Sequence, residues 1–166
     1  NGKPYKVIKV ASDITAAKTK SLEDDGKIEA INRTQAVIEF DLDGKVLTAN
    51  DKFLEAVDYT LQEVVGQHHS LFCCETYAQS PEYEAWWNDL RAGLSKQGEF
   101  MRLNRHGRPV WLQATYTPIL DADGKPFKVI KFASDITGAK QSSLSNEGKV
   151  AAISRSQGII EFDLAG

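Results

Sequence analysis

A chain of 166 residues, 42% apolar and 26% charged, has the composition of one or two ordinary globular domains. Its formal net charge of −3 gives no basic footprint for nucleic acid, and no apolar run is long enough for a membrane span. No charged-then-apolar leader opens it, and its two cysteines, Cys73 and Cys74, are adjacent, which suits reduced thiols in a cytoplasmic setting.

The first element in chain order is half of a repeat. "NGKPYKVIKVASDIT" at 1–15 returns as "DGKPFKVIKFASDIT" at 123–137, and residues 1–44 match residues 123–166 at a constant offset of 122 with 28 of 44 positions identical. A period of that size is a domain, so the chain reads as a window on a tandem array. Residues 1–15 are the terminal strand of a preceding repeat, 16–34 a linker helix, 35–137 a complete unit, 138–155 a second linker helix and 156–166 the first strand of a following repeat. Strands at 5–14 and 157–164, each without its own domain, would leave edges that pair with each other or swap into a neighbouring copy.

Within the complete unit, Asp13-Ile14-Thr15 supplies polar caps for a helix carrying Ala17, Leu22, Ile28 and Ile31, with Gly26 as a potential break. "AVIEFDL" (36–42) alternates as a strand, Asp43-Gly44 signals a two-residue turn, and "KVLTAN" (45–50) returns. Helical stretches follow at 51–57, 60–66 and 80–93, the last with Ser80 as cap and Pro81 at its first position. Strands at 99–105, 109–120 and 127–136 close the unit, with turns at His106-Gly107 and Asp121–Gly124. Trp86 and Trp87 lie on an amphipathic helix, one facing the core and one partly exposed, with Tyr83 and Leu90 in the same stripe. Met101, Leu103 and Leu112 are expected along a packed or dimer face, and Arg102, Arg105 and Arg108 as solvated charge. Two strands, short helices and three strands make an α+β unit: a five-stranded antiparallel sheet covered on one face by helices.

The "DLDGKVLTAN" hairpin, the stretch "DYTLQEVVGQHHSLF" (58–72) and the terminal "DIT" (135–137), in that order, resemble the PAS sensor domain. The resemblance spans about residues 28–137 and is closest to the tandem PAS domains of bacterial chemotaxis and aerotaxis-type signal transducers. It implies the PAS fold with flanking linker helices, and a sensory module without enzymatic turnover. In the full-length protein it implies neighbouring PAS repeats, a chemotaxis-type signalling domain and a homodimer.

"GQHHSLFCCETY" (66–77) is the stretch richest in chemistry. His68 and His69 project in different directions, so one of them at most faces a cavity, and Cys73 stands four residues after His69. A neutral imidazole in an apolar cavity is a haem-iron ligand type, and the resemblance makes b-type haem, held by His68 or His69 with Trp111 against it, the first cofactor candidate. FAD held without a covalent bond is the second, with Trp86, Trp87 or Trp111 as stacking partners. The photoactive flavin subfamily carries a cysteine where His69 stands, so adduct chemistry is not expected. The adjacent histidine and cysteine pairs converge poorly for zinc, and no motif activates a Cys–His nucleophile. Signal relay is assigned to the Asp135-Ile136-Thr137 junction, where sheet becomes linker helix. The alternative is a ligand-free dimerisation or spacer module whose pocket is filled by side chains.

Overall fold

The computed structural model describes residues 9–143 and Ser145. The expected strand at 157–164, the first residues of the strand at 5–14 and most of the linker helix 138–155 lie outside the described residues. Two units are distinguished, one ending at Thr34 and one beginning at Gln35. In the first, residues 9–14 form neither helix nor strand, and α1 (Thr15–Thr34) follows. The Asp13 carboxylate accepts the Thr15 N–H at 2.8 Å and so starts the helix. Gly26 does not interrupt it: a single glycine costs about 1 kcal/mol, and ion pairs such as Lys27–Glu23 at 2.7 Å and Arg33–Glu29 at 3.2 Å lie along the same helix.

The second unit runs β1 (Ala36–Phe40), β2 (Val46–Ala49), α2 (Asp51–Val57), α3 (Leu61–Val64), a 3-10 turn (His69–Phe72), α4 (Glu75–Ala78), α5 (Pro81–Arg91), β3 (Lys96–Leu103), β4 (Pro109–Leu120) and β5 (Pro126–Asp135). Residues 137–143 are again helical. All pairings in the sheet are antiparallel, in the order β2-β1-β5-β4-β3. The α+β class and the five-stranded sheet are those expected from the sequence.

The hairpins turn by one device. Asp41, Asn104 and Asp121 each accept the N–H of a glycine three residues on, and each side-chain oxygen accepts a further N–H four residues on. The glycines Gly44, Gly107 and Gly124 have φ of +81°, +70° and +78°, the left-handed region that a side chain disfavours. The β1–β2 connection is therefore longer than the two-residue turn expected at Asp43-Gly44, because Asp41 leaves the strand to become a side-chain acceptor. Asn50 ties the other end: its Oδ1 accepts from Val37 and Phe53 at 2.9 and 3.0 Å while Nδ2 donates to the Gln35 carbonyl at 2.8 Å. It caps α2 and clasps β1 with one side chain.

Alternation puts Ile38, Phe40, Val110, Leu112, Ala114, Tyr116, Val129, Lys131 and Ala133 on the inner sheet face. Phe53, Val57, Val64, Phe72, Tyr83, Trp87 and Leu90 close over them from the helices. Ser80 caps α5 through a bond from the Tyr83 N–H with Pro81 at the first turn, so Tyr83, Trp87 and Leu90 face the sheet while Trp86 is half-buried.

Gly44 has a second constraint: a Cβ there would stand 2.7 Å from His68 Nε2 and 2.9 Å from Trp87 Cζ2, whereas one at Gly66 (φ +78°) would meet nothing within 4 Å. Gly66→Ala should therefore lose about 1–2 kcal/mol of stability, the left-handed backbone cost alone. Gly44→Ala should lose a further 1–3 kcal/mol or so for the overpacked turn; urea unfolding of the two variants side by side measures the difference.

Candidate functional site

The segment that carries both histidines is stitched to the edge of β2. Gly66 N–H donates to Val46, Val46 N–H to Gln67 and His69 N–H to Gly44, each at 2.8 Å. Held in this extended run, neighbouring side chains point to opposite sides. His68 stays at the rim, where its Nδ1 lies 2.9 Å from Ser70 Oγ and accepts the Ser70 N–H to cap the 3-10 turn. His69 turns inward and is only 1% exposed.

Around His69 the interior is aromatic. Its ring lies 5.3 Å from Phe40 and 5.6 Å from Trp87, both edge-on, and is stacked near Trp86 at 5.5 Å. Both ring nitrogens have hydroxyl partners: Nδ1 is 2.8 Å from Tyr83 Oη and Nε2 is 3.1 Å from Tyr116 Oη. Arg102 Nη2 also donates to Tyr116 Oη, at 3.2 Å. A guanidinium only donates, so Tyr116 Oη is the acceptor of that bond. Tyr83 Oη, His69 and Tyr116 Oη form one hydrogen-bonded line from α5 to β4. Burial, then the charge of Arg102, holds His69 well below the ordinary histidine pKa, so it is neutral. Burial likewise pushes the phenols up, Tyr116 to about 12, so both hydroxyls keep their protons.

Arg102 and Lys131 are the other charged-type side chains in this interior, 3% and 1% exposed. Arg102 Nη1 donates to the Met101 carbonyl at 2.8 Å, its guanidinium carbon stands 5.1 Å from the Phe100 ring centre, and its Nε has no hydrogen-bond partner. Lys131 Nζ stands 4.9 Å above the Tyr116 ring and 5.3 Å from that of Phe53. Burial first, then Arg102, pushes its pKa well below the usual lysine value. Among the described residues no carboxylate is buried with them. Arg102 is thus not the solvated charge expected from the sequence: it shares the inward parity of Phe100, opposite Val110 on β4.

The remaining candidates lie elsewhere. Trp111 pairs with Met101 on the outer sheet face, so β4 separates it from His69, and Leu112 points inward, apart from Met101 and Leu103. Trp111 belongs instead to the junction. Its N–H donates to Thr137 Oγ1 at 2.9 Å, its carbonyl accepts from Ile136 at 2.8 Å, and Thr137 N–H donates to Asp135 Oδ1 at 2.8 Å. Lys140 stands 5.2 Å from the Trp111 ring and pairs with Glu99 at 2.5 Å. His68, His69 and Cys73 are thus brought together on one side of the sheet, and Trp111, Asp135, Ile136 and Thr137 on the other side and at its end.

Cys73 Sγ is 3.8 Å from His69 Nδ1, but burial pushes the thiol up, the reverse of an activated nucleophile. Among the described residues no group of three or more His, Cys, Asp or Glu side chains is arranged to hold a metal ion. The residues also do not fit a haem or flavin as they stand. An iron needs an imidazole nitrogen with a free lone pair beside a flat slot. Both nitrogens of His69 are bonded, His68 Nδ1 accepts the Ser70 N–H and so leaves the ring proton on Nε2, and Phe40, Phe72, Tyr83, Trp87 and Tyr116 fill the space beside them.

The model for the PAS fold matches residues 46–133, more than half of the chain. The chain belongs to the PAS family. A curated relative, the biofilm dispersion protein BdlA of Pseudomonas aeruginosa, is 46% identical to this PAS chain over 136 residues, which are 82% of the chain and 33% of that protein. The chain therefore spans about a third of its relative's length. Among solved structures, the PAS domain of a Colwellia psychrerythraea protein superposes with a TM-score of 0.61 at 18% identity, covering 70% of this chain and 98% of that one. A domain of a sensory box sensor histidine kinase/response regulator from Geobacter sulfurreducens gives 0.58 at 17%, covering 70% and 96%. An RNA-binding light-oxygen-voltage receptor gives 0.63 at 18%, covering 80% and 38%. These three likenesses show the fold.

In the PAS interior of this chain, Tyr83, Arg102, Tyr116 and Lys131 complete a site of which the sequence pointed to the histidines, Cys73 and the tryptophans. Strand parity was the available signal for Lys131, which falls with Val129 and Ala133 at inward positions; Arg102 shares its parity with Phe100 and is placed inward by its pairing with Val110.

The neutral state of His69 sets a pH dependence. Its pKa is depressed in the fold, so below about pH 6.5 the unfolded chain takes up a proton that the folded one refuses, and stability falls as pH falls. Replacing His69 by Gln removes that uptake. The stability gap between wild type and His69→Gln should therefore shrink by about 1 kcal/mol between pH 7.5 and 5.5, read from urea unfolding at both pH values.

Proposed function

We propose that this PAS chain is a signal-sensing and relay module of a bacterial chemotaxis-type receptor. A small ligand is taken up against the inner sheet face beside His69, and the change passes through Asp135-Ile136-Thr137 to the helix that follows. The observation that carries the reading is the double role of β4. Its inward residues Val110, Leu112 and Tyr116 touch the His69 interior, while Trp111 between them is hydrogen-bonded to Thr137 and Ile136 at the junction. A shift of β4 by a fraction of an ångström on the inner side is therefore felt where the helix starts, and small displacements of packed elements are the usual currency of such relays.

The occupant in this reading is smaller than the b-type haem or FAD expected from the resemblance. A small molecule need only move the half-buried rim rings Tyr77, Trp86 and Phe100, whereas either cofactor would have to displace the fully packed rings behind them. The duplication at offset 122 and the relative of about two-and-a-half times this length support neighbouring PAS repeats in the full-length protein. A homodimer, with the terminal segments paired or swapped, belongs to the same reading. The filled interior also favours a second reading, a ligand-free PAS dimerisation or spacer module.

A thermal-shift screen of small metabolites on the purified chain separates the two: the sensing reading expects saturable stabilisers, and a chain that no compound stabilises is a spacer. An absorbance spectrum after addition of hemin should show no histidine-ligated Soret band; its appearance would overturn the small-ligand assignment. For the relay, Asp135→Ala combined with Thr137→Ala in the full-length receptor should abolish stimulus-dependent output. The domain itself should lose only about 1–2 kcal/mol for the two bonds removed. Output that still follows the stimulus in the double variant rules the junction out.

A further inference from the structure

Arg102 is placed where a solvated residue was expected, and its surroundings make a structural explanation incomplete. A guanidinium carries its charge at any ordinary pH, and burying it without a counter-charge is among the least favourable things a fold does. Here the interior holds a second basic side chain, Lys131, and among the described residues no buried carboxylate. Both basic groups address one residue: Arg102 Nη2 bonds the Tyr116 hydroxyl at 3.2 Å and Lys131 Nζ lies 4.9 Å over the Tyr116 ring. Arg102 is bonded on both terminal nitrogens, yet its Nε, fully buried, has no partner. Buried polar atoms are nearly always satisfied, and an unsatisfied one asks what would complete it.

We propose that the ligand of this PAS domain is a small organic acid whose carboxylate binds Arg102 beside Tyr116, with its apolar body against Tyr77, Trp86 and Phe100. The inference rests on the sensing reading above and names the chemical class of its ligand. A carboxylate is the planar acceptor that a guanidinium edge matches, with one oxygen on Nε and the other on a terminal nitrogen. The walls suit an apolar or aromatic body. The Phe100 and Tyr77 ring centres stand 5.1 and 5.9 Å from the guanidinium carbon, and Trp86 meets Tyr116 edge-on at 4.5 Å. These three rings are half-buried, whereas Tyr116 behind them is wholly buried, so the anion site lies one ring deep behind a rim that faces solvent. Arg102 itself sits on β3, an edge strand of the sheet.

The test compares acids with their uncharged isosteres at equal ionic strength: benzoate against benzamide, and indole-3-acetate against indole-3-acetamide. Tryptophan fluorescence and thermal shift on the whole chain are the readouts, because Trp86 lies at the site. At least one acid should bind saturably and at least ten-fold more tightly than its amide. Arg102→Gln should weaken that acid ten-fold or more while the amide is unchanged. Arg102→Lys, which keeps the charge but not the fork, should give an intermediate affinity and guards against a Gln variant that fails to fold. If amides bind as well as acids, or if the Gln variant folds and keeps full acid affinity, the anion site is wrong while the sensing reading survives. If neither acids nor amides bind, the anion site falls, and an empty metabolite screen would bring down the sensing reading with it.

Discussion

The hydroxyl of Tyr116 is the point through which the polar groups of the interior are ordered. It lies where no water reaches, so it must be satisfied by protein groups or cost the fold its full desolvation penalty of about 1–3 kcal/mol. Arg102 can only donate to it, and His69 bridges it to Tyr83, so the polar line runs Arg102–Tyr116–His69–Tyr83. One permanently charged residue on β3 is thereby linked to a histidine in the 3-10 turn and a tyrosine on α5. This hydrogen-bonded line joins four elements that aromatic packing alone would leave free to slide, since ring contacts at 4.5 to 6.4 Å tolerate rotation and hydrogen bonds do not.

The two faces of the sheet then divide the work. The inner face holds the His69–Tyr116–Arg102 chain, and the outer face near its end holds the bond from Trp111 to Thr137 that anchors the start of the following helix. β4 is common to both because it is the longest strand and a central one, with β3 and β5 on either side of it. Displacing Tyr116 cannot leave Trp111 in place without breaking the alternation that puts them on opposite sides of one backbone. That mechanical identity rests the output point proposed at Asp135-Ile136-Thr137 on geometry rather than on motif.

Much of this architecture was legible before any coordinates. Alternation at 36–42 and 109–120, the Asx-and-glycine turns, and Ser80-Pro81 each reflect a local rule that tertiary packing did not override. The separation of His68 from His69 was legible too, since neighbours on an extended segment must diverge. What the sequence hid was long-range. In "EFMRLNR" the apolar residues Phe100, Met101 and Leu103 fall on both parities, so periodicity alone could not say which face was inward. Only pairing with Val110 and Leu112 decides it, and it carries Arg102 inside. The partners of His69 come from positions 14 and 47 residues away, and no spacing rule reaches that far. Trp111 looked like a pocket residue because it is large and aromatic. Its parity, one step from the inward Val110 and Leu112, is what sends it outside. Asn50 reads as a strand-end residue, and its double role in closing β1 and capping α2 appears only when the hairpin is folded.

An interior chosen for stability alone would not look like this one. Apolar residues in place of Arg102 and Lys131 would remove the desolvation penalty of two buried basic groups, and exchanges of that kind are commonly neutral or stabilising by about 1–4 kcal/mol. Domains give up stability in this way where a site has to be held ready for a partner. The location of the exception agrees. Arg102 lies on an edge strand behind a half-buried aromatic rim, whereas Leu90 and Leu112 are fully buried. Of the two buried basic groups, Arg102 stands where rotating the half-buried Tyr77, Trp86 and Phe100 rings would let an outside group reach it.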